Sequence, residues 1–475
     1  MKYLLYIFST VLIFLSLSVS AQTLDEAKAL FAAGKYSEAE TAFDALLKKT
    51  PNDATVPYYY GVTCYKLNDL ENAEKYLKAA ADKKNLEAYA YLGDLYFDAY
   101  RFREASDSYQ KYLPFIKNNS KLTAVYEEKI KKADMGNQML QRVEQVEIVD
   151  SIIVDKNNFL SAYKLSKESG QLFSYNDFFE TDTNIDAAVF KTERGNQILY
   201  AEKNKHSGFD LYSQDKLLND YGNKKNLSNV LNSEYDENYP FMLNDGVTLY
   251  YASNNPEISL GGYDIFVTRY NLANDAYLTP ENKGMPFNSP YNDYMMAIDE
   301  LNEIGWFASD RYQPEDKLII YIFIPYQEKI IIRNHPESYL RKMAKITDIK
   351  STQNSDKNYT RLLNQIDNQP KVEKQTGDFY FIVADNLIYT RLSDFQSSEA
   401  KTYFTKAREA EKQLNDKQTL LDAKRLEYGL ATTPKRAVLN DDILELEKEV
   451  QSLLNQPNDL YLKTRNEEIR YLMKK

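Results

Sequence analysis

Small residues recur along the N-terminal part of the chain at nearly constant intervals, and this spacing limits what that part can fold into. Ala39, Ala73 and Ala105 follow one another at almost equal intervals, and Gly61 and Gly93 are separated by nearly the same interval. Between them, apolar residues recur at three and four positions, as on one face of a helix. The spacing predicts pairs of antiparallel helices that approach closely at the small residues.

This pattern resembles the tetratricopeptide repeat, a helical hairpin of about 34 residues. The resemblance covers residues 22–118 and implies an α-solenoid whose concave face binds peptide or protein segments. By repeat position, the face that binds a partner would carry Tyr58, Val62, Tyr65, Ala90, Asp94 and Phe97. The alternative is that these side chains only pack against a neighbouring helix or domain. Residues 119–145 stay helical and charged and are predicted to cap the solenoid.

The first 21 residues predict export. Lys2 precedes an apolar run that extends from Tyr3 to Val19, and small residues end at Ala21 before Gln22. These are the parts of a cleaved secretory signal peptide. An uncleaved anchor helix is the alternative, which the cleavage triplet disfavours. No later segment reaches the ~18 apolar residues of a spanning helix, so we expect no transmembrane helix in the mature chain.

Charge and cysteine content exclude some functions. The formal net charge is −11 and the pI is about 5.1, with no basic stripe, so a nucleic-acid partner is not expected. Cys64 is the single cysteine, which rules out a disulfide within the chain. Its position between buried repeat positions predicts a core residue rather than a reactive thiol.

After residue 145 the apolar period changes from 3.6 towards 2, which predicts strands. Three hairpin units follow, and in each a turn residue precedes a small residue by six positions. Asn is the best substitute for glycine in a left-handed turn, so the third unit is expected to keep the turn of the others. The pairs are Gly195 and Ala201, Gly246 and Ala252, and Asn302 and Ala308.

The hairpin units resemble the TolB-like β-propeller repeat. The second unit carries the repeat's pattern in Asn244-Asp245-Gly246, Tyr251-Ala252-Ser253 and Asp264-Ile265-Phe266. The first unit matches in part, and the third has Ile319 where the pattern expects Asp. The resemblance implies a propeller domain over residues 146–395. Because only three units are clear and a charged insertion follows Tyr326, we expect an irregular or incomplete propeller, with a possible fourth unit at residues 377–391.

The chain returns to a helical pattern in residues 396–475. Apolar residues recur every seven positions in the first helix, and the second helix has the same spacing, which predicts a coiled-coil hairpin. An oligomerisation or docking arm is the alternative. The residues are Ala400, Ala407, Leu414 and Leu421 in the first helix, and Ile443, Leu446, Val450 and Leu453 in the second.

No catalytic, cofactor-binding or metal site emerges from the sequence. His206 and His335 are far apart and lie in polar contexts, so both are expected at the surface. Asp210 and Asp264 belong to the hairpin pattern, where an aspartate fixes a turn by accepting backbone N–H groups. The chain is therefore not expected to be an enzyme.

Two function classes remain. The combination of repeats is similar to that of envelope proteins of Gram-negative, Bacteroidetes-type bacteria, which implies a scaffold in the periplasm or at the periplasmic face of the outer membrane. Its partners would be envelope proteins, including those of secretion complexes. The alternative is a propeller that binds or cleaves a carbohydrate or peptide, which would need His, Arg and carboxylate residues clustered on several loops.

Overall fold

The computed structural model describes two compact units of the chain, one up to residue 363 and one from residue 381. The expected signal peptide, residues 1–21, and His206 lie outside the described residues. The described residues are 23–50, 53–181, 183, 185–204, 208–217, 221–326, 328–354, 357, 359, 362–363, 381–384, 387–389, 391–430, 433–454 and 456–474.

Helices form the first part of the first unit, as the repeat predicts. Three antiparallel pairs are followed by one longer helix. They are α1 (Leu24–Ala32), α2 (Tyr36–Lys49), α3 (Thr55–Lys66), α4 (Leu70–Asp82), α5 (Ala88–Asp98), α6 (Phe102–Ile116) and α7 (Ser120–Leu140).

The helices of a pair touch where their side chains are shortest. A β-carbon at Gly61 would lie 2.8 Å from the side chain of Leu77 in the partner helix. A β-carbon at Gly93 would lie 2.2 Å from the ring of Tyr109. The predicted close packing is confirmed, since the three alanines of the second helices are also fully buried: Ala39, Ala73 and Ala105.

Side chains also fix the ends of these helices. Thr23 and Glu26 exchange hydrogen bonds between side chain and backbone, so α1 begins with a capping box. Asn119 accepts a hydrogen bond from the backbone N–H of Leu122 and begins α7. A β-carbon at Gly136 would lie 2.7 Å from the ring of Phe102, so α7 covers the last pair closely.

Three antiparallel sheets follow the helices. Sheet A contains β2 (Gln171–Ser174), β3 (Ala188–Lys191), β4 (Gln197–Lys203), β5 (Phe209–Lys216) and β6 (Tyr221–Asn226), in that order, and a short helix α8 (Tyr175–Phe179) follows β2. Sheet B contains β7 (Glu237–Met242), β8 (Thr248–Ser253), β9 (Asp264–Asn271) and β10 (Ala276–Tyr277), and β11 (Glu281–Asn282) also pairs with β9. Sheet C has the order β1 (Glu147–Asp155), β14 (Lys317–Ile324), β13 (Ile304–Ser309) and β12 (Asp293–Asp299).

The hairpin turns agree with the sequence in two sheets and differ in the third. Gly195 and Gly246 have φ values of 62° and 68°, the left-handed region that favours glycine. In the third turn the left-handed residue is Glu303, with φ 53°, and not Asn302 as predicted. The reason is that Asn302 donates a side-chain hydrogen bond to Asp299, 2.8 Å away, which uses the amide that was expected to favour the left-handed position.

The sheets share one core, but no closed propeller is detected among the described residues. Side chains of all three sheets belong to the same buried cluster, which includes Phe190, Phe241 and Trp306. The first strand, β1, pairs with β14 of the last sheet, with Ile152 opposite Ile320. The described sheet region is therefore a set of three repeated antiparallel sheets.

Asparagines link sheet A to sheet B and sheet B to sheet C in the same way. Asn232 accepts a hydrogen bond from the backbone N–H of Leu211 and donates one to its carbonyl, at 2.7 and 3.0 Å. Asn288, at the next junction along the chain, makes the same two bonds with Ile265, both at 2.8 Å. These bonds satisfy backbone groups that a neighbouring strand would otherwise pair.

The helices and the sheets also pack together, although residue 146 was predicted to begin a separate domain. Helix α9 (Glu337–Lys345), from the charged insertion, contributes to their shared cluster. Lys132 of α7 donates a hydrogen bond to the carbonyl of Gly261, 3.0 Å away. The buried members of the cluster are Tyr100, Phe102, Leu140, Val143, Leu260, Met285, Leu340, Met343 and Ala344.

The second unit is mainly helical. The hairpin predicted as a fourth propeller unit belongs to this second unit. The rings of Phe381 and Tyr389 are in the same buried core of the unit as Phe404. Lys424 and Asp442 pair at 2.8 Å between the two long helices, as in an intramolecular hairpin. The elements are β15 (Phe381–Ala384), β16 (Leu387–Tyr389), α10 (Ser398–Leu430), α11 (Thr433–Leu453) and α12 (Gln456–Met473). None of the described helices combines the length and apolarity needed to cross a membrane.

Candidate functional site

The six residues predicted to face a partner occupy different environments. Tyr58 and Tyr65 on α3 are half-buried and reach the surface. Val62 is 1% exposed and Ala90 is 7% exposed, so both belong to the core, which corrects their assignment. The ring of Phe97 lies 5.3 Å from that of Phe102, in the contact between helices and sheets, so packing and not partner binding explains it.

Three tyrosines form an open aromatic surface on α3 and α5, which we call the tyrosine face: Tyr58, Tyr65 and Tyr91. The ring of Tyr91 lies 6.0 Å from that of Tyr58 and 6.4 Å from that of Tyr65, edge to face in both cases. All three side chains are half-buried. Tyrosines held in this way present large, rigid contact area that loses little conformational entropy when a partner binds.

Carboxylates surround the tyrosine face. The hydroxyl of Tyr65 donates a hydrogen bond to the exposed Asp98, 2.6 Å away. Asp94 accepts hydrogen bonds from Tyr109 at 2.8 Å and from Lys129 at 2.6 Å. The predicted contact residue Asp94 is therefore engaged with the neighbouring helices, whereas Asp98 gives the face an exposed negative charge.

The tyrosine hydroxyls are neutral hydrogen-bonding groups. Burial raises the pKa of Tyr58, and the neighbouring Tyr91 and Glu87 raise it further. Burial and the hydrogen bond to Asp98 raise the pKa of Tyr65. Because the shifts are upward from an ordinary value near 10, these side chains stay protonated at neutral pH and cannot act as phenolate nucleophiles. The face is suited to contact and hydrogen bonding.

Sequence reasoning missed two members of this surface although a signal for both exists. Tyr91 follows Tyr58 at the same interval as Asp98 follows Tyr65. That interval is one repeat period, and stacking consecutive repeats brings the members of each pair together. Position within a single repeat indicates Ala90 and Phe97, whereas the interval between repeats indicates Tyr91 and Asp98.

Other side chains that could bind a metal or take part in a reaction have structural roles. Among the described residues, Glu40, Cys64 and Asp69 place ligand-type atoms within 4.8 Å of one another. Asp69 caps α4 by accepting a hydrogen bond from the backbone of Asn72. Burial raises the pKa of the Cys64 thiol to about 12, so it stays protonated and lies in the core as predicted.

The remaining predicted groups also have structural contacts. The ring of His335 stacks on Tyr339 at 4.3 Å. Asp264 accepts the backbone N–H groups of Leu260 and Gly261, which confirms its predicted turn-fixing role.

Comparison with known proteins supports the repeat assignment. Residues 24–86 match the tetratricopeptide repeat family. The chain is also similar to a TPR repeat-containing protein of Methanocaldococcus jannaschii, with 31% identity over 186 residues. That match covers 34% of this chain and 33% of the archaeal protein, so the chain spans about a third of its relative's length. The helical repeats imply a scaffold for protein interactions.

Proposed function

We propose that this protein is a non-enzymatic scaffold of the bacterial cell envelope that docks segments of partner proteins on its tyrosine face. The observation that carries the proposal is the contact of Tyr91 with Tyr58 and Tyr65 between the first helices of consecutive repeats, α3 and α5, with all three side chains half-buried. Core tyrosines of this protein are instead nearly inaccessible, as Tyr109 is at 2% exposure. Half-exposed aromatic clusters are typical of the anchor points of protein interfaces.

The chemistry of this surface supports binding rather than catalysis. Its hydroxyls are protonated at neutral pH, because the pKa values of Tyr58 and Tyr65 are raised. Asp98 accepts a hydrogen bond from the hydroxyl of Tyr65, so its carboxylate has a positioning role on the face. A phenol with a raised pKa stays protonated at neutral pH, so it serves as a hydrogen-bond donor rather than as a nucleophile.

The cellular location is part of the proposal. The signal-like residues 1–21 support export, and the TolB-like hairpins support a periplasmic site or the periplasmic face of the outer membrane, within an envelope or secretion complex. The three sheets would then form an incomplete propeller beside the docking surface. Sequencing the N-terminus of protein recovered from the periplasm should find Gln22, whereas a chain that begins at Met1 in the cytoplasm would contradict this location.

Docking is tested by changing the rings without changing the fold. Tyr58→Ser with Tyr91→Ser should release the partners that crosslink to the intact protein in native envelopes, because two anchor rings are lost. Tyr58→Phe with Tyr91→Phe keeps the rings and should retain them. Thermal unfolding of each variant verifies that the repeats remain folded.

The matched control changes two tyrosines elsewhere. Tyr339 and Tyr428 are each 37% exposed, and Tyr339→Ser with Tyr428→Ser should leave the same partners bound. Partners that survive loss of Tyr58 and Tyr91 in a folded protein would contradict docking on this face. An intact protein that recovers no protein partner would favour a propeller that binds a carbohydrate or peptide.

A further inference from the structure

Loops of sheets B and C form a cleft. Its volume is about 350 Å³, and its lining includes Tyr291, Tyr312, Asp310 and Glu315. The rings of Tyr291 and Tyr312 lie 5.3 Å apart, edge to face, and Tyr312 is 45% exposed. The cleft therefore combines accessible aromatic surface with two carboxylates.

One of these carboxylates is held in a fixed orientation. Asp310 accepts hydrogen bonds from the backbone and side-chain amide of Asn292 at 2.8 and 2.7 Å, and from the hydroxyl of Tyr294 at 3.0 Å. All three donors are neutral, so these bonds place no positive charge beside the carboxylate. The guanidinium of the neighbouring Arg311 is fully buried and is engaged by Asp293, 2.6 Å away.

The cleft and the tyrosine face are within electrostatic range of each other. Burial raises the pKa of Tyr291, Asp98 and Asp310 raise it further, and Arg311 lowers it, so this ring is within electrostatic range of the carboxylates of both Asp98 and Asp310. Tyr291 also raises the pKa of Tyr65, the tyrosine that donates a hydrogen bond to Asp98. A segment bound at the tyrosine face could therefore reach the charges of the cleft.

A second cleft of similar size differs from the first in its charges. It has a volume of about 360 Å³ and lies on the helical repeats, where its lining includes Lys78, Arg101 and Lys111. Arg101 pairs with Glu104 at 2.9 Å, so acids and bases neutralise each other there. The described lining of the first cleft contains neither lysine nor arginine.

We propose that the first cleft binds a lysine or arginine side chain of the segment that docks on the tyrosine face, which makes the partner segment basic and extended. A cation over a tyrosine ring is stabilised by the ring quadrupole, and nearby carboxylates add charge complementarity. The inference rests on the proposed docking function and adds the chemistry of the partner. The carboxylates at Asp98, Asp310 and Glu315 favour a partner with several positive charges along its length.

The test uses two fluorescent peptides, one of alternating lysine and glycine and one of alternating glutamate and glycine. Fluorescence anisotropy with the full chain should show binding of the lysine peptide, weakened by salt, and much weaker binding of the glutamate peptide. Equal binding of the two peptides would overturn the inference. In the native envelope, the lysine peptide should also compete with the partner.

Variants locate the binding. Tyr312 has φ 61°, a conformation that asparagine tolerates, so Tyr312→Asn removes the ring without straining the backbone. This change should weaken the lysine peptide roughly tenfold, and Glu315→Gln should weaken it roughly threefold. Asp107→Asn, at the second cleft, makes the same change in net charge as Glu315→Gln and should have no effect.

The outcomes separate the two proposals. If Tyr58→Ser with Tyr91→Ser weakens the lysine peptide but Tyr312→Asn and Glu315→Gln do not, the cleft assignment fails and docking on the tyrosine face stands. If Glu315→Gln and Asp107→Asn weaken the peptide equally, binding reflects net charge alone and the cleft assignment fails. If binding of the native partner requires Tyr58 and Tyr91 but the lysine peptide does not compete with it, the partner is not basic.

Discussion

The helical repeats and the three sheets are both built from repeated units, yet different forces hold their units together. In the helices, Gly93 permits a contact that a single methyl group would block, since its β-carbon would lie 2.2 Å from Tyr109. In the sheets, Asn288 satisfies both backbone groups of Ile265. The comparison teaches that volume limits substitution in the helices, and that unsatisfied polar groups limit it in the sheets.

The largest effect is expected where a sheet junction loses a buried charge. Arg311 is fully buried, pairs with Asp293, and donates to the carbonyls of Pro286 and Phe287 at 2.9 and 2.8 Å. Arg311→Met would leave Asp293 buried without a cation, so urea unfolding should show a loss of about 3–5 kcal/mol.

The control for this prediction is an exposed arginine in the same sheets. The side chain of Arg269 is 68% exposed and lies 3.9 Å from Asp245. Arg269→Met should change the free energy of unfolding by less than about 1 kcal/mol. If Arg311→Met costs no more than Arg269→Met, buried polar groups do not hold the sheets together and the comparison fails.

A smaller effect is expected from added volume in the helices. Gly93→Ala forces the ring of Tyr109 to move and strains its hydrogen bond to Asp94. The expected loss is about 1–3 kcal/mol by thermal or urea unfolding, although alanine favours helices. In a Tyr109→Ala background the same substitution should cost much less, because the blocking ring is gone. An equal cost in both backgrounds would show that the contact is not responsible.

The most gradual effect depends on pH. Burial, and then the neighbouring Asp293, raise the pKa of Asp264 from 3.8 to about 7. Between these values the folded protein holds a proton that the unfolded chain releases, so this group's contribution to stability is full below about pH 4 and falls as pH rises towards about 7. The expected slope is at most about 1.4 kcal/mol per pH unit.

Asp264→Asn isolates this slope. Urea unfolding across this range should give a difference between variant and wild type that shifts in favour of the variant as pH rises. A difference that stays constant with pH would mean that Asp264 is already ionised in the fold, and that its three hydrogen-bond donors outweigh its burial.

The same contrast explains what the sequence could reveal. The helix contacts of Gly61 and Gly93 are encoded by local spacing, so a single period exposes them. The turns at Gly195 and Gly246 are also local and were predicted correctly. The third turn was not, because the side chain of Asn302 bonds to Asp299.

The sequence pattern could not reveal contacts between segments that are far apart along the chain. Phe97 was predicted to face a partner because repeat position alone cannot show that the sheets pack against that end of the helices. The paired asparagines Asn232 and Asn288 do carry a signal, since each precedes a serine and has an acid five positions later. Their hydrogen bonds to the preceding sheet become evident only in three dimensions.

The most direct test of docking on the tyrosine face is photocrosslinking in living cells. A photoreactive phenylalanine analogue placed at Tyr91 lies among the rings of Tyr58 and Tyr65, and the same analogue at Tyr428 lies in the second unit. The account predicts one discrete protein adduct from position 91, reduced by Tyr58→Ser, and none of that mass from position 428. The same adduct from both positions, or adducts from position 428 alone, would contradict it.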